Sequence, residues 1–121
     1  MLVKHLNDCT EFIAGDGSIL REILHGDKMH LPINYSLAYA KVPAGQTTRP
    51  HRLCTSEVYY IVAGSGRMQI DKECRDVTSG CTIYIPPGST QYITNTSNYE
   101  LEFLCIVEPA WSQADEEVLN P

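Results

Sequence analysis

The sequence lacks a hydrophobic run long enough to cross a membrane, which requires roughly 18 apolar residues. It also lacks basic character, because 9 Lys and Arg residues stand against 15 Asp and Glu residues and the net charge is −6. Proteins that bind nucleic acid need clustered positive charge, so neither nucleic acid nor a membrane is an expected partner. The N-terminus, M-L-V-K-H-L-N-D-C, has no apolar signal core, and we therefore expect a cytoplasmic protein.

Several chemical motifs are missing as well. The 5 cysteines are an odd number and include no C-x-x-C pair, which predicts reduced thiols rather than disulfides or a zinc site. No Ser-His-Asp order, paired-carboxylate motif or phosphate loop is present. The G-S-G at 64–66 lacks the third glycine and the helix of a nucleotide-binding fingerprint, so it indicates a hairpin turn.

Short segments of strand composition recur along the chain, separated by Gly, Pro, Asn and polar turns. Segment 18–24 could also be helical, but the tight Gly15-Asp16-Gly17 turn before it favours a β-hairpin with 11–13. Only 112–119 is typical of a helix, with Ser112 as a cap and acidic residues in the first turn. This regular alternation of short strands and turns predicts one all-β domain over 1–121, a sandwich or barrel, with a short C-terminal helical tail. The predicted strands are 2–6 at a sheet edge, 11–13, 18–24, 35–42, 57–62, 67–70, 82–85, 92–94 and 101–107, and the polar segment 71–79 is predicted as a hairpin region.

A two-part pattern occupies the middle of the chain. In 45–64, Gly45, His51, Glu57 and Gly64 follow one another at six- or seven-residue spacing. In 80–95, the pattern consists of Gly80, Pro86, Gly88, Gln91 and Asn95. These spacings resemble the two-part signature of the cupin superfamily, small jelly-roll barrels (double-stranded β-helices) that usually hold a divalent metal.

The resemblance implies a metal site at four converging positions, and this chain departs from it at two. His51 and Glu57 match a histidine and a glutamate of the signature, whereas Leu53 and Gln91 stand where it has two further histidines. The implied ligands are therefore His51, Glu57 and Gln91, for Fe, Mn, Ni or Zn. With one imidazole instead of three, the site is expected to be weak. The alternatives are a barrel without metal in which His51 and Glu57 form a hydrogen bond, and a site completed by another residue.

Residues of equal parity on a strand share a face, which predicts the pocket wall. Tyr39, Leu53, Tyr59 and Cys105 are the expected ligand-binding residues, and Tyr39 or Tyr59 could act as an acid. Core packing is the simpler interpretation of each of these tyrosines and of Cys105. Three further residues are candidates for the site. The parity of Cys54 directs it away from His51, and His25 and His30 are expected to be exposed loop residues.

Three functions are compatible with these residues. The first is a metal-dependent enzyme, of dioxygenase, isomerase or lyase type, acting on a small oxygen-rich substrate. The second is a barrel that binds or senses a small-molecule ligand without turnover, which the loss of two imidazoles favours. The third is a structural dimer with a vestigial pocket. Small cupins often dimerise, and the apolar residues Val58, Tyr60 and Val62 lead us to expect a homodimer.

Overall fold

The computed structural model describes residues 1–119, which form two β-sheets with short helical segments around them. The strands are β1 (Glu11–Ile13), β2 (Ile19–His25), β3 (Ser36–Val42), β4 (His51–Leu53), β5 (Ser56–Ala63), β6 (Ser65–Ile70), β7 (Glu73–Thr78), β8 (Thr82–Ile85), β9 (Gln91–Asn95), β10 (Leu101–Glu108) and β11 (Glu116–Val118). The helical segments are α1 (Gly26–Met29) and two 3-10 helices, Leu6–Asp8 and Gln113–Asp115. The prediction of an edge strand at 2–6 is wrong, because the His5 side chain accepts from the Asn7 amide and caps the first 3-10 helix instead. None of these helices is long or apolar enough to cross a membrane.

The strands are arranged as two antiparallel sheets in which chain neighbours are often not sheet neighbours. One sheet has the order β1-β2-β3-β10-β5-β8, and the other has the order β11-β4-β9-β6-β7. Every pairing is antiparallel, as in a jelly roll built by successive crossings between two facing sheets. The predicted all-β jelly-roll barrel is confirmed.

Alternation along the central strands builds the core between the sheets. On β10, Leu101, Phe103, Cys105 and Val107 are buried while the residues between them are more exposed. Neighbouring β5 buries Tyr59 and Ile61 in the same way, and the rings of Tyr59 and Phe103 lie 4.5 Å apart. Each large apolar side chain buried in this way stabilises the fold by about 1.5–3 kcal/mol.

Strand β3 faces the opposite way from the prediction for Tyr39. Its small residues Ser36, Ala38 and Ala40 point into the barrel, and Tyr39 lies on the outer face, where its hydroxyl donates to Glu102 at 3.2 Å. The expectation that Tyr39 lines the pocket is therefore wrong. The strand alternates large and small residues, and because the small ones face inward, they leave room for a cavity there.

The C-terminal tail differs from the predicted helix. The Ser112 side chain does cap a helical turn, accepting from the Ala114 amide at 3.3 Å, but that turn is a 3-10 helix of three residues. The chain then becomes strand β11, which pairs antiparallel with β4 and places Glu116 opposite Leu53. A helix of eight residues has little stability of its own, whereas the free edge of β4 provides hydrogen-bond partners.

Candidate functional site

A cavity of about 330 Å³ lies inside the barrel and is apolar over most of its wall. Its volume is at the lower end of the range for small-molecule sites. The exposed residues Phe12, Ile13 and Lys28 mark its opening. The apolar wall consists of Leu20, Ala38, Ala40, Leu53, Phe103 and Val107, and the acidic and imidazole side chains Asp16, His51, Glu57 and Glu116 line the same cavity.

The orientation of His51 is fixed by the backbone that leads into β4. Its Nδ1 lies 2.8 Å from the Arg49 carbonyl oxygen. Because a carbonyl can only accept, Nδ1 carries a hydrogen, and Nε2 is the ring nitrogen left to face the cavity. Nε2 lies 3.8 Å from Asp16 Oδ2, which is too long for a hydrogen bond. His51 is only 3% exposed and lines the cavity.

Asp16 is placed by the turn between β1 and β2. Its Oδ1 accepts from the Ser18 amide at 2.9 Å and the Ser18 hydroxyl at 2.7 Å, an Asx turn that Gly17 completes with φ of +90°. The Asp16 carbonyl also accepts from the Arg49 amide at 2.7 Å. One carboxylate oxygen is thus used by the turn, and the other is directed at His51.

Glu57 lies at the end of a buried chain of hydrogen bonds. The Tyr59 hydroxyl donates to Gln91 Oε1 at 3.1 Å, and Gln91 Nε2 donates to Glu57 Oε1 at 3.0 Å. Burial raises the pKa of Glu57 to about 8, with further increases from the charges of Asp16 and Glu116, and the Gln91 hydrogen bond opposes the shift. In the metal-free protein Glu57 therefore carries a proton at neutral pH.

Glu116 brings a third carboxylate to the cavity from β11. It is half-buried, and its strand partner is Leu53. Burial raises the pKa of Glu116 and the charge of Asp16 adds to the increase, whereas His51 and a hydrogen bond from Trp111 lower it. Residues that face each other in an antiparallel pair share a face, so Glu116 lies beside the position at which the cupin signature has its second histidine.

The structure brings together some of the predicted site residues and separates others. His51, Leu53, Glu57, Tyr59 and Cys105 line the cavity. Gln91 is 1% exposed and lies behind the wall, with both ends of its amide engaged. The alternative of a hydrogen bond between His51 and Glu57 is wrong, because Arg49 and Gln91 are their hydrogen-bond partners.

The three further candidates lie outside the cavity. Cys54 is exposed and its thiol donates to Asp115 Oδ1 at 3.2 Å, so it points away from His51 as its parity predicts. His25 is buried rather than exposed, with Nε2 2.8 Å from the Trp111 carbonyl oxygen, because its ring also caps α1. His30 is exposed, in agreement with the prediction.

The donor chemistry at the acidic end of the cavity fits a divalent cation, but the side chains are not preassembled around one. Across residues 1–119, no group of three His, Cys, Asp or Glu side chains is close enough to hold a metal ion as it stands. His51 Nε2 and Asp16 Oδ2 nevertheless face each other, and Glu57 and Glu116 line the same cavity. One imidazole and carboxylates are ligands used for Mn and Fe.

Sequence reasoning missed Asp16 and Glu116. The Gly-Asp-Gly pattern around Asp16 was interpreted only as a turn, although that turn caps one end of a barrel. Glu116 lies in the segment predicted as a helix, where it was assigned to a first turn. The signal that could have identified Glu116 is the strand pairing of the tail, which a single sequence does not contain.

A family model and a close relative match the chain. The family model described as "Cupin domain" matches residues 38–107. The protein MJ1618 of Methanocaldococcus jannaschii, itself uncharacterised, is 44% identical over 110 residues, which cover 90% of this chain and 87% of that protein. Asp16 and Glu116 both lie outside the range that the family model matches.

Solved structures share the fold at low sequence identity. Oxalate decarboxylase of Bacillus subtilis has a TM-score of 0.81 and 22% identity over 94% of this chain, which spans 31% of that larger protein. The polyketide cyclase RemF of Streptomyces resistomycificus has a TM-score of 0.81 at 17% identity, over 100% of this chain and 87% of that chain. A conserved barrel domain protein of Salinispora arenicola has a TM-score of 0.77 at 16% identity, over 94% and 91%. At such identities these structures establish the fold alone.

Proposed function

This chain belongs to the cupin family, and on that premise we propose that it is a metal-dependent enzyme acting on a small oxygen-rich substrate inside the barrel. A divalent metal, when bound, would supply a Lewis acid that polarises an oxygen of the substrate. The reaction type is a dioxygenase, isomerase or lyase step. Among the proteins of similar fold, the Bacillus subtilis oxalate decarboxylase contains Mn(II) centres.

The observation that carries the proposal is the pair formed by His51 and Asp16. The contact to Arg49 leaves Nε2 of a 3% exposed imidazole facing a carboxylate oxygen across 3.8 Å. A cation placed between these two facing acceptors would pair with both of them. His51 and Glu57 are the ligands at the family positions, and Gln91 acts by holding Glu57 rather than by binding the metal.

The other cavity residues would orient the substrate and exclude water. Small inward residues of β3 leave room for a ligand, and Leu53, Phe103 and Val107 keep most of the wall apolar. Glu57 sits beside this space, and burial raises its pKa to about 8 in the metal-free protein, so its carboxyl would lose a proton on binding the metal. Tyr59 is committed to Gln91, so it supports Glu57 and is not itself an acid.

Elemental analysis tests the metal. Protein purified without an affinity tag is expected to contain near-stoichiometric Mn, Fe, Ni or Zn, and His51→Ala and Glu57→Ala are expected to lose it. Gln91→His, which restores an imidazole of the signature, should increase metal retention during dialysis. A metal-free wild type that stays empty after reconstitution would contradict the proposal. Turnover is then assayed on small dicarboxylates, diols and carbonyl compounds with and without chelator.

A second function is favoured by the hydrogen bonds of Gln91. Its amide is engaged at both ends and Leu53 has no donor atom, so two of the four family positions supply no ligand. This arrangement suits a barrel that binds a small molecule without turnover. In that case a ligand raises the thermal midpoint equally in the presence and absence of chelator, whereas the enzyme requires the shift to depend on metal.

A further inference from the structure

The cavity receives two carboxylates from segments that flank the range matched by the family model. We propose that Asp16 and Glu116 take the place of the two imidazoles missing at Leu53 and Gln91, so that this chain binds its metal through one histidine and an unusually oxygen-rich ligand set. The inference rests on the proposed function and assigns its ligands. Both residues lie outside 38–107, one in the turn before β2 and the other in the last strand.

Asp16 is already oriented toward His51, the histidine that matches the signature. The Asx turn uses its Oδ1, and the burial of its side chain, which is 9% exposed, directs Oδ2 to His51 Nε2. Neither of these two atoms forms a hydrogen bond with any residue that the structure describes. A histidine side chain that is only 4% exposed, with Nε2 aimed into the cavity at a carboxylate oxygen 3.8 Å away, is the independent sign that the acidic residues surround a binding position.

Glu116 occupies the space beside the residue that replaced a ligand. Strand β11 pairs it with Leu53, and the next inward pair on these strands is Val118 with His51. A Cβ atom built on Gly15 would lie 3.4 Å from Glu116 Oε2, so the turn that carries Asp16 and the strand that carries Glu116 meet at the cavity. Because Gly15 has no side chain, nothing at this position separates the Glu116 carboxylate from the turn that carries Asp16.

The ligand chemistry predicts which metals this set suits. Imidazole-rich sites suit Zn, Ni and Cu, whereas carboxylate oxygens suit Mn and Mg. One imidazole with carboxylates from Asp16, Glu57 and Glu116 is therefore a site for Mn²⁺. Because cavity carboxylates outnumber His51 and Lys28, a divalent cation also offsets the excess negative charge of the cavity.

The test is a titration of the chelator-treated full chain with Mn²⁺. Binding is monitored by calorimetry and by the electron paramagnetic resonance signal of the Mn²⁺ that stays free. Asp16→Asn keeps the oxygen that the turn uses, and Glu116→Gln keeps the shape of the side chain. Each is expected to weaken Mn²⁺ binding at least about tenfold, the smallest loss usual for removing a group that supports a metal. Glu117→Gln is the matched control, because Glu117 is exposed, pairs with Arg52 and should leave the affinity unchanged.

The possible results separate this inference from the proposed function. Wild-type binding that is lost in His51→Ala and unchanged in both Asp16→Asn and Glu116→Gln would overturn the carboxylate assignment and leave the metal-dependent function standing. A wild type that binds no Mn²⁺, Fe²⁺, Ni²⁺ or Zn²⁺ would overturn both. Circular dichroism and thermal midpoints of the metal-free variants show whether each is folded, so that weaker binding is not mistaken for unfolding.

Discussion

The hydrogen bonds of Gln91 show what an amide can do at a position where the family signature has an imidazole. Its Nε2 fixes Glu57 and its Oε1 satisfies the Tyr59 hydroxyl, so three buried polar groups are paired with one another. An imidazole at this position could not donate and accept in the same directions unless its ring were reoriented. Relative to the family signature, Gln91 therefore replaces a metal-binding histidine with a residue that positions Glu57.

The raised pKa of Glu57 predicts how the stability of the metal-free protein depends on pH. The folded carboxyl titrates at about 8 and the unfolded one near 4.5. Between these values the folded state binds more protons than the unfolded state, so the free energy of unfolding falls as pH rises from about 4.5 to about 8. At roughly 1.4 kcal/mol per pKa unit, the total change is on the order of 5 kcal/mol at most.

Urea unfolding at several pH values in the presence of chelator measures this effect. Glu57→Gln removes the titrating group and keeps an oxygen that can accept from Gln91, so its stability should vary less over the same pH range and exceed that of wild type above pH 8. Glu117→Gln, an exposed substitution, should follow the wild-type curve. Parallel curves for wild type and Glu57→Gln would show that Glu57 is already ionised at neutral pH.

At the scale of residues, the sequence predicted the positions that the spacing of the signature defines and missed those that depend on tertiary pairing. His51 and Glu57 line the cavity, and their role as metal ligands stays a prediction. Tyr39 was assigned to the wrong face because alternation alone does not say which set of residues faces the core. Glu116 could not be placed, since only the pairing of β11 with β4 brings it to Leu53.

Strand β3 shows how an element makes room for a cavity. Its inward residues are Ser36, Ala38 and Ala40, and its outward residues are larger, so the barrel wall is thin at this point. Sheet pairing with β2 and β10 holds the backbone in place independently of inward packing. The cavity therefore exists because the inward side chains of this one strand are small.

Filling the cavity from this strand should be tolerated by the fold. Ala38→Leu adds three carbon atoms that point into empty space, so we expect a thermal midpoint equal to or above that of wild type, together with loss of small-ligand binding. Overpacking a filled core usually costs about 1–3 kcal/mol. Differential scanning calorimetry shows whether Ala38→Leu keeps or raises the thermal midpoint, as filling a cavity should, or lowers it, as overpacking would.

Gly66→Ala provides the contrast in a region without free volume. A Cβ atom at Gly66 would lie 2.6 Å from the Thr94 carbonyl oxygen and 3.0 Å from the Leu101 side chain. This substitution should lower the thermal midpoint by several degrees. If Ala38→Leu lowers it as much as Gly66→Ala does, the space beside Ala38 is not available to a side chain.

Most elements could be predicted because strand composition and turn residues are local signals. Segments 82–85 and 101–107 agree with β8 and β10 to within one residue. The polar segment 71–79 was assigned only to a hairpin region, yet it contains β7, whose mostly polar residues face solvent at the edge of a sheet. The tail was misassigned because its acidic residues also suit a helix, and the pairing with β4 overrides that local preference.

At the scale of the whole molecule, the outer face of the six-stranded sheet carries an exposed apolar area on three of its strands. Tyr84 is 60% exposed, Tyr60 44%, and Val62 and Ile106 are each 39% exposed. The strand register places Val58 between Tyr84 and Ile106, so these side chains form one continuous patch on β5, β8 and β10. Continuous patches of this kind mark interaction surfaces more often than scattered apolar residues do.

We propose that a second copy of the chain covers this patch, giving a homodimer with a two-fold axis through the outer face of the sheet. In such an interface each copy contributes the same residues, so one substitution changes the contact twice. Tyr84→Glu introduces two carboxylates into an apolar contact between chains that already carry a net charge of −6 each. It is expected to shift the sedimentation behaviour at micromolar concentration from dimer to monomer.

Tyr99→Glu is the matched control because Tyr99 is 79% exposed and lies in the turn between β9 and β10, away from the patch. It should sediment as wild type does. A wild type that is monomeric at the same concentration, or a Tyr84→Glu variant that remains dimeric, would contradict the proposed interface. Since the patch lies on the opposite side of the sheet from the cavity, monomeric Tyr84→Glu should bind Mn²⁺ as tightly as wild type, which separates assembly from the chemistry of the site.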